Sequence, residues 1–124
     1  MAIQTYRDLE VWQRSMDLVE EIYQQTRQFP KEELYGLTSQ IRRAVVSVPA
    51  NIAEGYGRIH RKEYIHHLSI ARGSLWEVET LLQLAVRLTY VERNQGMKLW
   101  DRLQEVGRLL NGLLRALQAK GEKE

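Results

Sequence analysis

An all-α, antiparallel up-down-up-down four-helix bundle is the architecture the sequence predicts, and three observations predict it. Leu, Gln, Glu, Arg and Ala, all good helix formers, dominate the composition, and only Pro30 and Pro49 oppose helix. No strand-like alternation is bounded by Asn-Gly or Asp-Gly turns. Apolar residues recur at alternating spacings of three and four over four long segments of similar length, and short connections pack such segments side by side.

The first helix is expected over about Tyr6 to Gln28. Leu9, Trp12, Met16, Val19 and Tyr23 form one stripe, and Leu18 and Ile22 widen it. Pro30 stops the segment, because the residue before a proline avoids helical geometry. The second helix, over about Lys31 to Tyr56, carries Leu34, Leu37, Ile41, Ala44 or Val45, Val48 and Ile52. Pro49 removes the amide that would bond to the Val45 carbonyl, so a kink rather than a break is expected. Asn51 stands two residues on, placed to satisfy carbonyls that the kink frees. Gly55 and Gly57 flank Tyr56 at the end, where left-handed backbone costs little.

The third helix, about Arg61 to Leu88, has the cleanest period: Leu68, Ala71, Leu75, Val78, Leu82 and Ala85. Ser69 and Gly73 lie on a neighbouring stripe where another helix could approach closely. The fourth, about Glu92 to Gln118, has Leu99, Leu103, Val106, Leu110, Leu113 and Leu117 as its seam. Gly107 and Gly112 each cost about 1 kcal/mol relative to Ala inside a helix, which points to a packing or functional reason for them. One domain spanning residues 1–124 accommodates all four helices. Leu18, Ile22, Leu81, Val86, Leu109 and Leu114, with Trp76 and Trp100, sit beside the seams. Stripes this broad either widen the core or leave apolar surface for a second copy to cover.

The chain has 124 residues, with 44% hydrophobic and 27% charged, which excludes intrinsic disorder. No run approaches the ~18 apolar residues of a membrane span, so no membrane partner is expected. The absence of Cys excludes disulfides, a thiolate nucleophile and cysteine metal sites. MAIQTYRDLEVWQ lacks the pattern of a signal peptide, so a cytoplasmic location is expected. Charge is uneven within a net +2: residues 1–35 carry −3, residues 36–76 carry +4 and residues 77–124 carry +1. The basic middle holds Arg42, Arg43, Arg58, Arg61, Lys62 and Arg72, the candidate RNA contacts. Arginine suits this role because its planar fork grips phosphate oxygens in pairs. The loop Gly57-Arg58-Ile59-His60-Arg61-Lys62 concentrates three of these cations between two helices.

Catalytic patterns are thin. Glu63-x-x-His66 is half of a di-iron bundle motif, but neither His60 nor His67 follows a Glu by three positions, so no metal site is expected. Arg61-x4-His66 resembles the Arg-His element of helical HEPN-type ribonucleases, with His66 in acid–base chemistry and Arg61 stabilising phosphorane charge. It stands as an alternative to a non-catalytic protein without cofactor.

A longer pattern carries a family resemblance. Leu34-Tyr35-Gly36-Leu37-Thr38-Ser39-Gln40-Ile41-Arg42-Arg43-Ala44 continues through Val48-Pro49-Ala50-Asn51-Ile52-Ala53-Glu54-Gly55-Tyr56-Gly57-Arg58. Tyr64, Leu68-Ser69-Ile70-Ala71-Arg72-Gly73-Ser74-Leu75 and Glu77 follow, with Tyr6-Arg7-Asp8-Leu9-Glu10-Val11-Trp12 before and Gly107-Arg108-Leu109-Leu110-Asn111-Gly112-Leu113 after. The chain thereby resembles the four-helix-bundle proteins related to the product of the intervening sequence in bacterial 23S ribosomal RNA genes. The resemblance implies a ring-forming bundle, typically a homopentamer. A related branch, accessory proteins of diversity-generating retroelements, implies binding to a nucleic-acid-processing protein, a reverse transcriptase, and its structured RNA through a basic surface. Pro49, Asn51, Glu54 and Gly55 are expected as structural motif residues, and the embedded polar set Gln40, Arg42, Arg43, Asn51 and Glu54 either fixes helix register and subunit geometry or offers its arginines to phosphate. The function expected is a non-catalytic, homo-oligomeric scaffold that binds RNA or an RNA–protein complex, with a purely structural protein–protein module as the alternative.

Overall fold

The computed structural model describes residues 2–122. Its four helices are α1 (Glu10–Thr26), α2 (Leu37–Tyr56), α3 (Arg61–Arg87) and α4 (Arg93–Glu122), with 3-10 turns at Tyr6–Asp8 and Lys31–Glu33. No strand occurs among the described residues. Side chains cross-link neighbouring helices in reversed order. Gln40 reaches Glu77, Ser74 reaches Ser47 and His67 meets Asn51, so α2 and α3 run in opposite directions. Arg72 with Asn111 and Gln104 with Glu79 do the same for α3 and α4, as Arg14 with Glu105 and Arg102 with Glu21 do for α1 and α4. Each helix packs on two neighbours, and α2 with α3 is the most extensive pairing.

Two helix starts fall later than the apolar spacing predicts. Thr5 and Asp8 form a reciprocal cap on the turn at Tyr6–Asp8, and Leu9 is extended (φ −72°, ψ 124°), so α1 begins at Glu10 instead of Tyr6. Gly36 (φ −113°, ψ −113°) lies outside helical geometry and separates the turn at Lys31–Glu33 from α2, which begins at Leu37 instead of Lys31. Leu34 is half exposed and Tyr35 is 93% exposed, so neither extends the core. Glu33 ties this corner together: one carboxylate oxygen accepts the Leu37 amide at 3.2 Å and the other the Tyr90 hydroxyl at 2.9 Å. That bond raises the Tyr90 pKa, because the donor proton is held on the phenol.

Val45, Val48 and Ile52 of α2, Leu68, Val78 and Leu82 of α3, and Leu103, Val106 and Leu110 of α4 fill the core as predicted. In α1 the buried stripe is Val11, Ser15, Leu18, Ile22 and Thr26. The predicted stripe lies one face away: Leu9, Trp12 and Val19 are partly buried, and Met16 and Tyr23 are exposed. Leu81 and Leu114 are buried too, so several residues expected as flanks belong to the core.

The corner between α3 and α4 holds the one non-glycine residue with positive φ among those described, Thr89 (φ 65°). The amide of Tyr90 bonds to the Ala85 carbonyl (2.9 Å) and that of Thr89 to the Val86 carbonyl (3.0 Å), a Schellman closure whose left-handed position normally holds glycine. A β-branched residue there is strained, at a cost of roughly 1–2 kcal/mol. Thr89→Gly is expected to raise stability by about 1 kcal/mol in urea denaturation.

Candidate nucleic-acid interface

Two backbone devices near the end of α2 build the candidate site. Pro49 has no amide for the Val45 carbonyl, yet α2 continues unbroken to Tyr56. Asn51 contributes a bond on the next turn: its Nδ2 donates to the Ser47 carbonyl (2.9 Å) and to Ser47 Oγ (3.0 Å). The carbonyl it satisfies is thus that of Ser47, not Val45. With Nδ2 committed to Ser47, Oδ1 points toward α3 and accepts from Nδ1–H of His67 at 3.1 Å.

Gly55 is the second device. It is helical and buried, no glycine has positive φ, and the expected left-handed end does not form. A Cβ on Gly55 would stand 2.8 Å from His67 Cβ, 3.0 Å from Tyr64 Cδ1 and 3.2 Å from the Tyr64 carbonyl oxygen. The glycine lets the backbone of α3 pass directly against α2. Tyr64 packs edge-on against Tyr56 at 6.1 Å, and burial, with Tyr56 adding to it, pushes its phenol up to about 12. It therefore keeps its proton at neutral pH.

This close approach gathers ionisable groups from both helices. Arg58, Lys62, Glu63, His66 and His67 line an open cavity of about 340 Å³. Glu54 adjoins them: it pairs with Arg58 at 3.7 Å and lies 3.7 Å from Nδ1 of His67. The Glu54–Arg58 pair is well exposed, so it is worth well under 1 kcal/mol and yields readily to a phosphate. Ile59, in the turn between α2 and α3, is 94% exposed. His60 stands before the first residue of α3 and makes no side-chain cap.

The six predicted RNA cations do not form one patch. Arg58 and Lys62 share the cavity, and Arg43 lines a cleft on the same α2–α3 side with Gln40, Ser47, Ser74 and Glu77. Arg42 turns to α1: its Nε donates to Thr26 Oγ1 at 2.8 Å, and its guanidinium covers the Tyr23 ring at 4.6 Å. Arg72 turns to α4, donating to Asn111 at 3.4 Å and lying over Trp76 at 5.3 Å. Arg61 sits beside Gly121 of α4, where a Cβ would come within 2.9 Å of its guanidinium. His66 lines the cavity without Arg61, so the two residues of the ribonuclease-like pattern are not brought together there. His67 was not a sequence candidate. Its signal is the α2–α3 register, which sets it opposite Asn51 once the two helices are known to run in opposite directions.

The four outer grooves differ in character. The α2–α3 groove is polar (Gln40, Ser47, Asn51, Ser74, Glu77), and the α1–α4 groove is bridged by Arg14–Glu105 and Arg102–Glu21. Burial raises the Glu21 carboxyl pKa, and Arg102 offsets part of that rise. The two remaining grooves lie on opposite sides of the bundle. Val19, Tyr23 and Val46 line one between α1 and α2 together with Glu20, Gln24 and Arg27, so it is mixed in character, with Met16 exposed nearby. Trp76 (57% exposed), Met97 (60% exposed) and Trp100 mark the other, between α3 and α4. Gly73 and Gly112 meet nothing within 4 Å of their Cβ positions, so no packing inside the protomer explains them. Among the described residues no three His, Asp or Glu gather as metal ligands. Among the described residues no helix is long and apolar enough to cross a membrane.

Comparison with known proteins gives two findings. The family model described as 23S rRNA-intervening sequence protein matches residues 7–112. A solved structure from Bacteroides thetaiotaomicron VPI-5482, a protein of unknown function from the S23 ribosomal protein family, superposes with a TM-score of 0.78 at 25% identity, covering 85% of this chain and 95% of that one. Comparison with curated proteins gives no match.

Proposed function

We propose that the chain, which belongs to the 23S rRNA-intervening sequence protein family, is a non-catalytic, homo-oligomeric scaffold that holds RNA, alone or within an RNA–protein complex. One observation carries this reading: exposed apolar side chains lie on opposite sides of the bundle, Met16, Tyr23 and Val46 on the α1–α2 side and Trp76 and Met97 on the α3–α4 side, and the groove between them bears Arg43, Arg58 and Lys62. The α1–α2 face of one copy covers the α3–α4 face of the next. Such a head-to-tail contact closes into a ring when its rotation permits, and the family resemblance suggests five copies. The α2–α3 face stays open in every subunit, so its cations repeat around the ring. Avidity then multiplies contacts that are weak singly.

Binding through so few cations is mainly to phosphate, sequence-tolerant and sensitive to salt. Arg58→Gln combined with Lys62→Gln is expected to weaken affinity for a structured RNA about tenfold or more and to flatten the dependence on salt. Fluorescence anisotropy across a salt series measures both. Unchanged affinity and slope would remove RNA from the reading and leave a protein–protein assembly module.

A further inference from the structure

We propose that every junction of the assembly holds a phosphate group, clamped by Arg27 of one copy and by Arg87 and Arg93 of the next, and that this anion draws the copies together. The site rests on the head-to-tail contact proposed above and is complete only where two copies meet. Three observations support it.

The first is height along the bundle. Arg27 lines the cavity between α1 and α2, and Arg87 and Arg93 line the one between α3 and α4, on the opposite side. Arg102 pairs with Glu21, and Glu21, Gln24 and Gln28 share a cleft with Gln95 and Arg102, so the last turns of α1 stand beside the first turns of α4. Because α4 runs against α1, Arg27 falls within about one turn, ~5 Å, of Arg93 in height. Gln104 with Glu79 fixes α3 against α4 in the same way and puts Arg87 at that height too. A head-to-tail contact closes into a ring only when each copy is rotated from the last without a rise. With the helices along the ring axis, equal heights meet, and Arg27 of one copy arrives beside Arg87 and Arg93 of the next.

The second is unanswered charge. All three arginines are exposed, and among the described residues none has an ion pair or side-chain hydrogen bond in its own protomer, and no carboxylate lines the α3–α4 cavity. Glu20, the carboxylate that lines the α1–α2 cavity, stands two turns from Arg27, about 10 Å along α1. Asp101 stands about 12 Å from Arg93 along α4. Glu92 lines the α1–α4 cleft instead, Glu33 is held by Leu37 and Tyr90, and Lys31 offsets Glu32 in the turn after α1. Three guanidinium groups brought together in this way repel one another, and an anion between them turns the repulsion into attraction.

The third is ligand chemistry. A guanidinium presents its N–H donors in a planar fork that matches phosphate oxygens. Apolar side chains flank the meeting point, Tyr23 and Val46 on one copy and Met97 and Trp100 on the next, so the contact sheds water and the charged hydrogen bonds gain strength. Linkage makes the effect reciprocal: phosphate tightens assembly, and assembly tightens the hold on phosphate. The group is the same whether it belongs to an RNA backbone or to the free ion.

Sedimentation velocity of the full chain over a dilution series, at neutral pH and equal ionic strength, compares chloride, inorganic phosphate, and a labelled RNA hairpin in chloride. Phosphate is expected to raise the association constant about tenfold or more over chloride. Arg27→Gln and Arg93→Gln should each assemble at least as well as wild type in chloride, because repulsion is relieved, and should lose most of the gain from phosphate. Arg58→Gln with Lys62→Gln should keep that gain, which separates the junction from the α2–α3 groove. A gain from phosphate and RNA alike assigns the site to any accessible phosphate. A gain from RNA alone, lost in the Arg27→Gln chain, assigns it to the polymer backbone.

Assembly that is equal in chloride, phosphate and RNA, or a gain that survives both glutamine variants, overturns the junction site and leaves the proposed ring standing. A chain that stays monomeric under all three conditions overturns the ring, and the site with it.

Discussion

Gly55→Ala destabilises the bundle by about 1–3 kcal/mol, and Gly55→Leu by more, through overpacking. Helix propensity alone points the other way, since alanine is better than glycine inside a helix by about 1 kcal/mol. The sign is decided by what the new methyl meets. At 2.8 Å it meets His67 Cβ and at 3.2 Å the Tyr64 carbonyl oxygen, atoms on or next to backbone that cannot swing aside as a side-chain tip would. The helices must separate, which loosens Asn51 from His67 and opens the core around the fully buried Ile52 and Leu68. Urea denaturation measures the loss. Wild-type stability or better in the alanine variant would show that α2 and α3 do not pass as closely as described.

A single charge on either of the two proposed contact faces is expected to break the proposed assembly. Val46 and Trp76 stand on opposite sides, both exposed within one protomer, so Val46→Glu and Trp76→Glu leave the isolated fold within about 0.5 kcal/mol. Arg42 and Arg72 stand one turn before these positions and offset part of the charge, so in a covered interface either carboxylate costs about 1–3 kcal/mol, or roughly 5- to 150-fold in association. The head-to-tail contact has a signature in mixtures. The Val46→Glu chain keeps its α3–α4 face and the Trp76→Glu chain keeps its α1–α2 face, so together they form a dimer and nothing larger. A two-fold symmetric contact of one face with itself would instead let the variant whose copy of that face is intact dimerise alone, with no need of the other variant. Sedimentation velocity separates these outcomes.

Most of the architecture was legible because α3 and α4 each carry one unambiguous apolar stripe. The α1 stripe was not, and the reason is chemical. Ser15 and Thr26 lie on its buried face with their hydroxyls donating to the carbonyls of Trp12 (2.9 Å) and Ile22 (2.8 Å), so they pack as small neutral groups while reading as polar. Trp12, Met16, Val19 and Tyr23, one face over, have equally good spacing and greater apolar bulk, yet Trp12 and Val19 are only partly buried against the core and Met16 and Tyr23 are exposed. The helix starts were obscured for a related reason. Leu9 and Leu34 continue the spacing across breaks that the Thr5–Asp8 cap and Gly36 impose.

Within the site, sequence spacing pairs Glu54 near the end of α2 with Arg58 four residues on, and the structure shows that pair. The other contacts are made across helices. Asn51 to His67 depends on register, and the role of Gly55 depends on where α3 passes, neither of which periodicity within one segment encodes. Arg42 and Arg72 count toward a basic middle in the sequence, yet each covers an aromatic ring of its own protomer, so charge density along the chain overstates the cationic surface.

Sedimentation velocity of the full chain with a labelled structured RNA at low salt tests the combined claim of assembly and RNA binding most directly. The expected result is a protein boundary at a multiple of 14.6 kDa, with RNA moving in it and released as salt rises. A boundary at 14.6 kDa that leaves the RNA behind at high protein concentration would contradict both halves of the claim.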